Sequence, residues 1–414
     1  MTTPGDDLLH GLDLTDGALY RDGFPHKVFT ALRRHEPVFW QPVPEQPEGD
    51  YDEGFWVLSR HADIQAVSRD PRRFCSFDGP QLRLEPLLAG AMLISMDGED
   101  HARLRKMISA GFTPRMIRRL EQQVRTWAES LVERALSLGE CDFVPQVAYK
   151  LPMHVIADII GIPAERREWL FGLANDILTA AAPGARKPPQ DRLRVQAELY
   201  GYAHQLALDK RARPQDDVWT ILSTAQGDGP GEAALSADEL DLFFFLLITA
   251  GSETTRNAVA QGLAALLRHP GQLARLRAEP GTRKAAVEEI LRWSSPVSYF
   301  ARRATEDTSI RGVTIRRGDR VTMWFPSGNR DEDAFADPFR FDISRGPNPH
   351  LAFGGGGPHF CLGAHLARQE IGALLDALLD RTRHVLLTAP PTYSYLGFNN
   401  PILTYTRHLP VRMS

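Results

Sequence analysis

The stretch Phe353-Gly-Gly-Gly-Gly-Pro-His-Phe-Cys361-Leu-Gly363, running on into Ala364-His-Leu-Ala-Arg-Gln-Glu370, decides how the rest of the chain is read. Four consecutive glycines in an ordered loop forfeit much conformational entropy, so a close approach of backbone must require them. A cysteine closes the loop, directly before a helical pattern. A helix N-terminus carries about half a positive charge and unpaired N–H groups, and both favour a thiolate. The Gly-Lys-Ser/Thr ending of a phosphate cradle is missing, which removes that reading. Three readings remain: a cysteine nucleophile served by His359, a thiolate metal ligand pressed against a flat cofactor, and a buried structural cysteine. The two-residue spacing of His359 and Cys361 is poor for a catalytic pair.

Upstream, Ser236-Ala-Asp-Glu239 forms a capping box, and no proline follows until Pro270. At about 1.5 Å per residue, the helix it opens is roughly 50 Å long. Its first half is apolar on every side, which predicts burial all round. In its middle, Ala250-Gly-Ser-Glu-Thr-Thr255 places an acid and hydroxyls where apolar residues are expected. A buried carboxylate is costly without a partner. Gly251 permits a close approach, and Thr254 can bond back to the carbonyl of Ala250. The competing reading puts Glu253 on a solvated stripe.

Two further patterns are weak when taken alone. In Glu289-Ile-Leu-Arg292 the acid and base share a helix face, away from the apolar face of Val287, Ile290 and Leu291. A surface pair worth a few tenths of a kcal/mol is the default reading. In Asp97-Gly-Glu-Asp-His101-Ala-Arg-Leu-Arg105, His101 and Arg105 are helical neighbours, and a solvated basic face explains them equally well.

Around these motifs the pattern is mainly helical with small β-sheets. Helices are expected near 24–34, 61–68, 99–110, 114–138, 145–160, 164–180, 190–212, 282–294 and 362–380. A strand is expected at Gly54–Leu58, a hairpin at 308–325 turning at Arg317-Gly318-Asp319, and extended chain over 385–410. Residues 76–95 read as a long loop, and such loops are usually functional. No repeat and no linker divides the chain, so one large domain is expected.

Composition narrows the function. The chain has 414 residues, 43% hydrophobic and 24% charged, with formal net charge -4. That excludes wholesale disorder and gives no basic footprint for nucleic acid. Three cysteines (Cys75, Cys141, Cys361) exclude a disulfide scaffold, and no CxxC pair suggests structural zinc. The first residues lack the basic start and apolar core of a signal peptide. The longest apolar run, Leu242 to Gly251, is half of the ~20 residues that a membrane span needs. A cytoplasmic protein without a membrane span is expected.

The cysteine segment resembles the haem-binding loop of the cytochrome P450 superfamily, Phe-Gly-x-Gly-x-His/Arg-x-Cys-x-Gly, and the other three motifs stand in the family's order. One residue more separates Phe353 from Cys361 than in the commonest bacterial version. That variant is similar to sterol side-chain and methyl-branched-lipid hydroxylases. The resemblance runs from about residue 50 to the C-terminus. It implies the cytochrome P450 fold, residues 1–414 as a single haem-thiolate monooxygenase domain, and haem b (iron protoporphyrin IX) as cofactor. It makes Cys361 the iron ligand, with Phe353, Gly354, Gly363, Ala250 and Gly251 around the macrocycle. It assigns His101, Arg105, Arg302 and His359 to the haem propionates. Thr254 and Glu253 become the groups that hold and relay protons during O2 activation. Glu289 and Arg292 become a buried structural pair joined by a third member, Arg340.

The resemblance also implies a hydrophobic small molecule as substrate: a steroid, a lipid or a secondary metabolite. The cavity walls it suggests are Leu82, Leu84, Leu87, Leu88, Met92, Leu93, Leu246, Leu247, Val297, Tyr299, Phe300 and Phe398. A tailoring oxidase acting on a natural-product or carrier-bound precursor, including phenol coupling, is the alternative. No flavin, nicotinamide or iron–sulfur motif is present. Two electrons per turnover must then come from a ferredoxin and its ferredoxin reductase, docking near Arg105, Lys106 and Arg368.

Overall fold

The long helix runs unbroken from Ala237 to Arg268. The Ser236 hydroxyl accepts the Glu239 N–H, and the Glu239 carboxylate accepts the Ser236 N–H, so the capping box forms as expected. The computed structural model describes residues 6–43, 52–83, 88–179, 189–225, 234–396 and 402–414. Among these, no helix is long and apolar enough to cross a membrane. Leu84, Leu87 and Phe398 lie outside the described residues.

Helices Gly98–Ala110, Pro114–Leu138, Lys150–Ile160, Ala164–Thr179 and Pro189–Ala212 follow the expected pattern, and Arg283–Ser294 and Ala364–Arg381 complete the set around the long helix. A wide π turn at Val144–Ala148, with Pro145 in its first turn where a missing N–H costs nothing, leads into Lys150–Ile160. Most of the apolar core lies among these helices, with Phe243, Phe244, Ile248 and Leu263 of the long helix inside it. A Cβ at Gly262 would come within 2.5 Å of Ile290, so this glycine lets Arg283–Ser294 pack tightly against the long helix.

A five-stranded sheet stands to one side, in the order Val38–Pro42, Gly54–Leu58, Arg320–Trp324, Tyr299–Ala304, Phe74–Cys75. Only the pairing of Gly54–Leu58 with Arg320–Trp324 is parallel. The expected hairpin over 308–325 is corrected here. Thr308–Ile310 pairs with Val313–Ile315, turning at Arg311-Gly312, both in the left-handed region. Arg317-Gly318-Asp319 is a second turn that delivers Arg320–Trp324 to the main sheet. Every residue of that strand is buried, and a central place in the sheet satisfies both its edges and both its faces.

Candidate active site

A cavity of about 500 Å³ opens between the middle of the long helix and the cysteine loop. Ala250, Gly251 and Thr254 line one side and Phe353, Gly354, Cys361 and Gly363 the other. His101, Arg105, Arg302 and His359 close one end of it. Residues from four separate stretches of chain therefore meet around one space.

The cysteine loop is held from several directions. The Cys361 N–H donates to the Phe353 carbonyl at 3.1 Å, and Gly354 N–H to Leu351. Gly354, Gly356 and Gly357 have φ of 91°, 96° and 78°. The close approach that the glycines permit is to the end of the helix His61–Ser68. A Cβ at Gly355 would sit 2.5 Å from the Ser68 hydroxyl, and one at Gly357 2.3 Å from the Ser68 carbonyl. Arg69 donates to the Gly355 carbonyl at 3.1 Å. Cys361 exposes its surface to the cavity it lines, yet burial pushes its thiol pKa up; the Gly363 N–H and the charges of Arg105 and Arg368 oppose that rise. His359 turns to Ser76 (2.9 Å) and Asp97 (3.6 Å) rather than to Cys361, which counts against it as the base of a cysteine nucleophile.

At the basic end, the His101 and His359 rings lie 4.3 Å apart. His101 is 3% exposed and its Nε2 has no hydrogen-bond partner. Burial, His359 and Arg105 lower its pKa to about 4. Arg302 is buried, and burial lowers its pKa to about 10. The neighbouring Arg303 faces away and pairs with Asp52 and Asp78, so of the two arginines Arg302 meets the cavity. Arg105 donates to the Phe360 carbonyl at 2.6 Å.

On the long helix, the Thr254 hydroxyl donates to the Ala250 carbonyl at 2.8 Å without breaking the helix. Glu253 is fully buried and ion-paired with Arg256 of the next turn. Its Oε2 has no partner, and burial raises its pKa against the pull of Arg256. The carboxyl does not belong to the cavity lining. A Cβ at Gly251 would reach 3.1 Å from Ile156, so this glycine also admits a neighbouring helix.

Glu289 and Arg292 are both 0% exposed and joined by two hydrogen bonds of 2.7 and 2.8 Å. Their third partner is Arg345, not Arg340. Arg345 Nε lies 3.2 Å from Glu289 Oε2. Arg340 is 65% exposed in its side chain and offers only its backbone carbonyl, to Arg292 at 3.3 Å and to Arg345 at 2.8 Å. The segment between 329 and 345 is irregular, so no periodicity announces which arginine turns inward.

Of the expected substrate walls, Leu93, Leu246, Leu247, Val297 and Phe300 line the cavity. Tyr299 and Leu82 do not; they pack with Tyr20 and Trp324 in a separate cluster. Strand alternation accounts for Tyr299: it shares a face with Ala301, while Phe300 and Arg302 face the cavity. Leu88 and Met92 are also absent from the lining, in a local turn where Ser95 Oγ donates to the Leu88 carbonyl and accepts the Met92 N–H. The sequence reading missed Ile94, Phe243 and Phe325. Phe243 carried a usable signal, lying three and seven residues before Leu246 and Ala250 on one helical face.

Two of the cations expected to meet a ferredoxin are already engaged. Arg105 lines the cavity, and Arg368 is bound to Glu288 at 2.7 and 2.9 Å.

The donor set fits a flat, anionic, metal-bearing group. Among the described residues no cluster of three or more His, Cys, Asp or Glu could hold a metal ion. The orphaned His101 Nε2 and the buried Arg302 are donors that await acidic groups. Fold and site together define a helical oxidoreductase of the haem-thiolate class.

Comparison with known proteins specifies the family. The cytochrome P450 family model matches residues 202–396. A steroid C26-monooxygenase from Rhodococcus jostii is 39% identical over 96% of this chain and 84% of its own length. A methyl-branched lipid omega-hydroxylase from Mycobacterium bovis is 39% identical over 95% of this chain and 91% of its own. The solved structure of Mycobacterium marinum cytochrome P450 CYP268A2 in complex with pseudoionone superposes with a TM-score of 0.84 at 39% identity, covering 94% of each chain. The chain belongs to the cytochrome P450 family, whose cofactor is haem, and is a monooxygenase.

Proposed function

We propose that the whole chain, residues 1–414, works as one domain that hydroxylates a C–H bond of a steroid or branched-lipid type of molecule in the cytoplasm. The observation that carries this reading is the cavity itself, with Cys361 on one wall, the Ala250–Thr254 turn on the other and four basic side chains at one end. The remaining lining is mostly apolar, with Leu93, Phe243, Leu246, Leu247, Val297 and Phe300 in it, which suits a hydrophobic substrate. The relatives named above act on steroids and methyl-branched lipids, which favours this class over a tailoring role on a carrier-bound precursor.

Cys361 would hold the iron of haem b as thiolate, because a bound cation reverses the upward push of burial on the thiol. His101, Arg105, Arg302 and His359 would bind the propionates, while Phe353, Gly354, Gly363, Ala250 and Gly251 enclose the ring. Bound there, haem supplies reductive activation of O2, so that one oxygen atom enters the substrate and the other leaves as water with two protons and two electrons. The chain's part is to deliver the protons. Thr254 Oγ1 spends its own proton on the Ala250 carbonyl, which leaves its lone pairs to accept one from water in the cavity. Glu253 is kept protonatable by burial, and its unpartnered Oε2 can pass a proton on once it leaves Arg256. Electrons would come from a ferredoxin and its reductase. Turnover driven by such a pair should then weaken as salt rises, because opposite charges steer the encounter.

The decisive experiment is the spectrum of the reduced protein with carbon monoxide. The wild type should give the red-shifted Soret band of thiolate ligation, and Cys361→Ala should lose it. A wild-type protein that lacks the band overturns the assignment. A panel of steroids and methyl-branched fatty acids should produce a low-to-high-spin shift, and a panel without responders overturns the substrate class.

A further inference from the structure

Glu288 is a carboxylate, so far without a role, that reaches both flanks of the cysteine loop. It lies on the helix Arg283–Ser294, beside the buried Glu289 but facing a different way. Its Oε1 accepts from Arg368 Nε at 2.7 Å, and its Oε2 from Arg368 Nη2 at 2.9 Å. The same Oε2 meets His350 Nε2 at 2.9 Å. His350 Nδ1 accepts the Ala352 N–H at 3.2 Å, so the ring proton sits on Nε2 and is donated to Glu288. His350 precedes the four glycines, and Arg368 stands on the helix after Cys361. One side chain thus holds the chain on both sides of the cysteine.

The contacts continue to the cysteine itself. The Arg368 guanidinium lies 4.5 Å over the Phe353 ring, and the Phe353 carbonyl accepts the Cys361 N–H. Arg368 is also one of the two cationic side chains whose charge reaches the Cys361 sulfur. Burial pulls the Glu288 carboxyl upward, but the hydrogen bonds from His350 and Arg368 and the charge of Arg368 outweigh it and hold the pKa at about 2. The carboxylate therefore stays charged wherever the enzyme works, and it offsets the positive charge of Arg368.

We propose that Glu288 is a positioning residue that seats the Cys361 loop through His350 and Arg368 and sets the net charge facing the cysteine sulfur. The inference rests on Cys361 being the iron ligand, and its test separates the two claims. In the holoenzyme, Glu288→Gln keeps the size of the side chain and removes its charge. Arg368 is then uncompensated, so the midpoint potential of the haem iron should move in the positive direction. Arg368→Gln should move it in the negative direction, and the double variant should return towards wild type. With one charge-assisted contact weakened at a partly exposed site, the share of ferrous–CO complex lacking the red-shifted band should rise about threefold under mild heating. A merely structural Glu288 would lower the melting temperature and leave the potential unmoved. If wild type shows the red-shifted band while Glu288→Gln leaves both potential and spectrum unchanged, the positioning role is overturned and the Cys361 assignment stands. If wild type lacks the band, the Cys361 assignment itself fails.

Discussion

The two walls of the cavity are built in opposite ways. The cysteine loop is tied down at nearly every point: by Phe353, by Leu351, by the end of the helix His61–Ser68, and by Arg69. The turn Ala250–Arg256 of the long helix holds polar atoms that the fold leaves unsatisfied, Glu253 Oε2 and Arg256 Nε. Both walls expose part of their surface to the cavity, Cys361 and Ala250 among them, so exposure alone does not explain the contrast. On the function proposed above, Cys361 is a metal ligand that must stay in one place, and tight backbone contacts would give it that. A group that hands on protons must change partners, and a fully satisfied carboxylate would not.

Breaking the framework behind the fixed wall should have the largest effect. Arg292→Ala removes the bidentate partner of the buried Glu289, leaving it only the longer contact with Arg345, and should cost about 3–5 kcal/mol in chemical unfolding, with loss of haem. Arg345→Ala should cost about 1.5–3 kcal/mol, the worth of hydrogen bonds between charged groups. On the other wall, Glu253→Gln should slow turnover about a hundredfold while substrate still shifts the spin state. Thr254→Ala should divert reducing equivalents to peroxide. An unchanged ratio of product to peroxide in both variants would remove the proton-relay role and, with it, the contrast drawn here.

Glu370 sharpens the comparison further. It sits on the cysteine helix, fully buried, and burial raises its pKa to about 8. The folded state therefore keeps a proton that the unfolded chain releases near 4.5. Its effect on stability is absent below about pH 4.5, grows more costly as pH rises from there, and levels off above about pH 8. Between pH 5 and 7 the loss should be on the order of 2 kcal/mol, read as a melting temperature that falls with pH. Glu370→Gln should flatten that slope, and an unchanged slope would place the titration elsewhere. The smallest effect belongs to Arg340→Ala. Its side chain is exposed, so the change should stay within about 0.5 kcal/mol. A cost equal to that of Arg345→Ala would reverse the correction made above.

The sequence alone established most of the helical order and the capped long helix, though not the helices Val218–Thr224 and Pro270–Ala278, and the stretches that meet at the cavity followed from the family resemblance. It did so because glycines, caps, prolines and a 3.6-residue period act locally and leave a mark within a few residues. Arg345 rather than Arg340, Phe300 rather than Tyr299, and the capture of Arg368 by Glu288 were settled only in three dimensions. Each depends on the path of an irregular segment, on the register of a strand, or on a partner 80 residues away in the chain. Charges and rings carry no address of their own; the packed backbone determines which of them face inward and which partner each one finds.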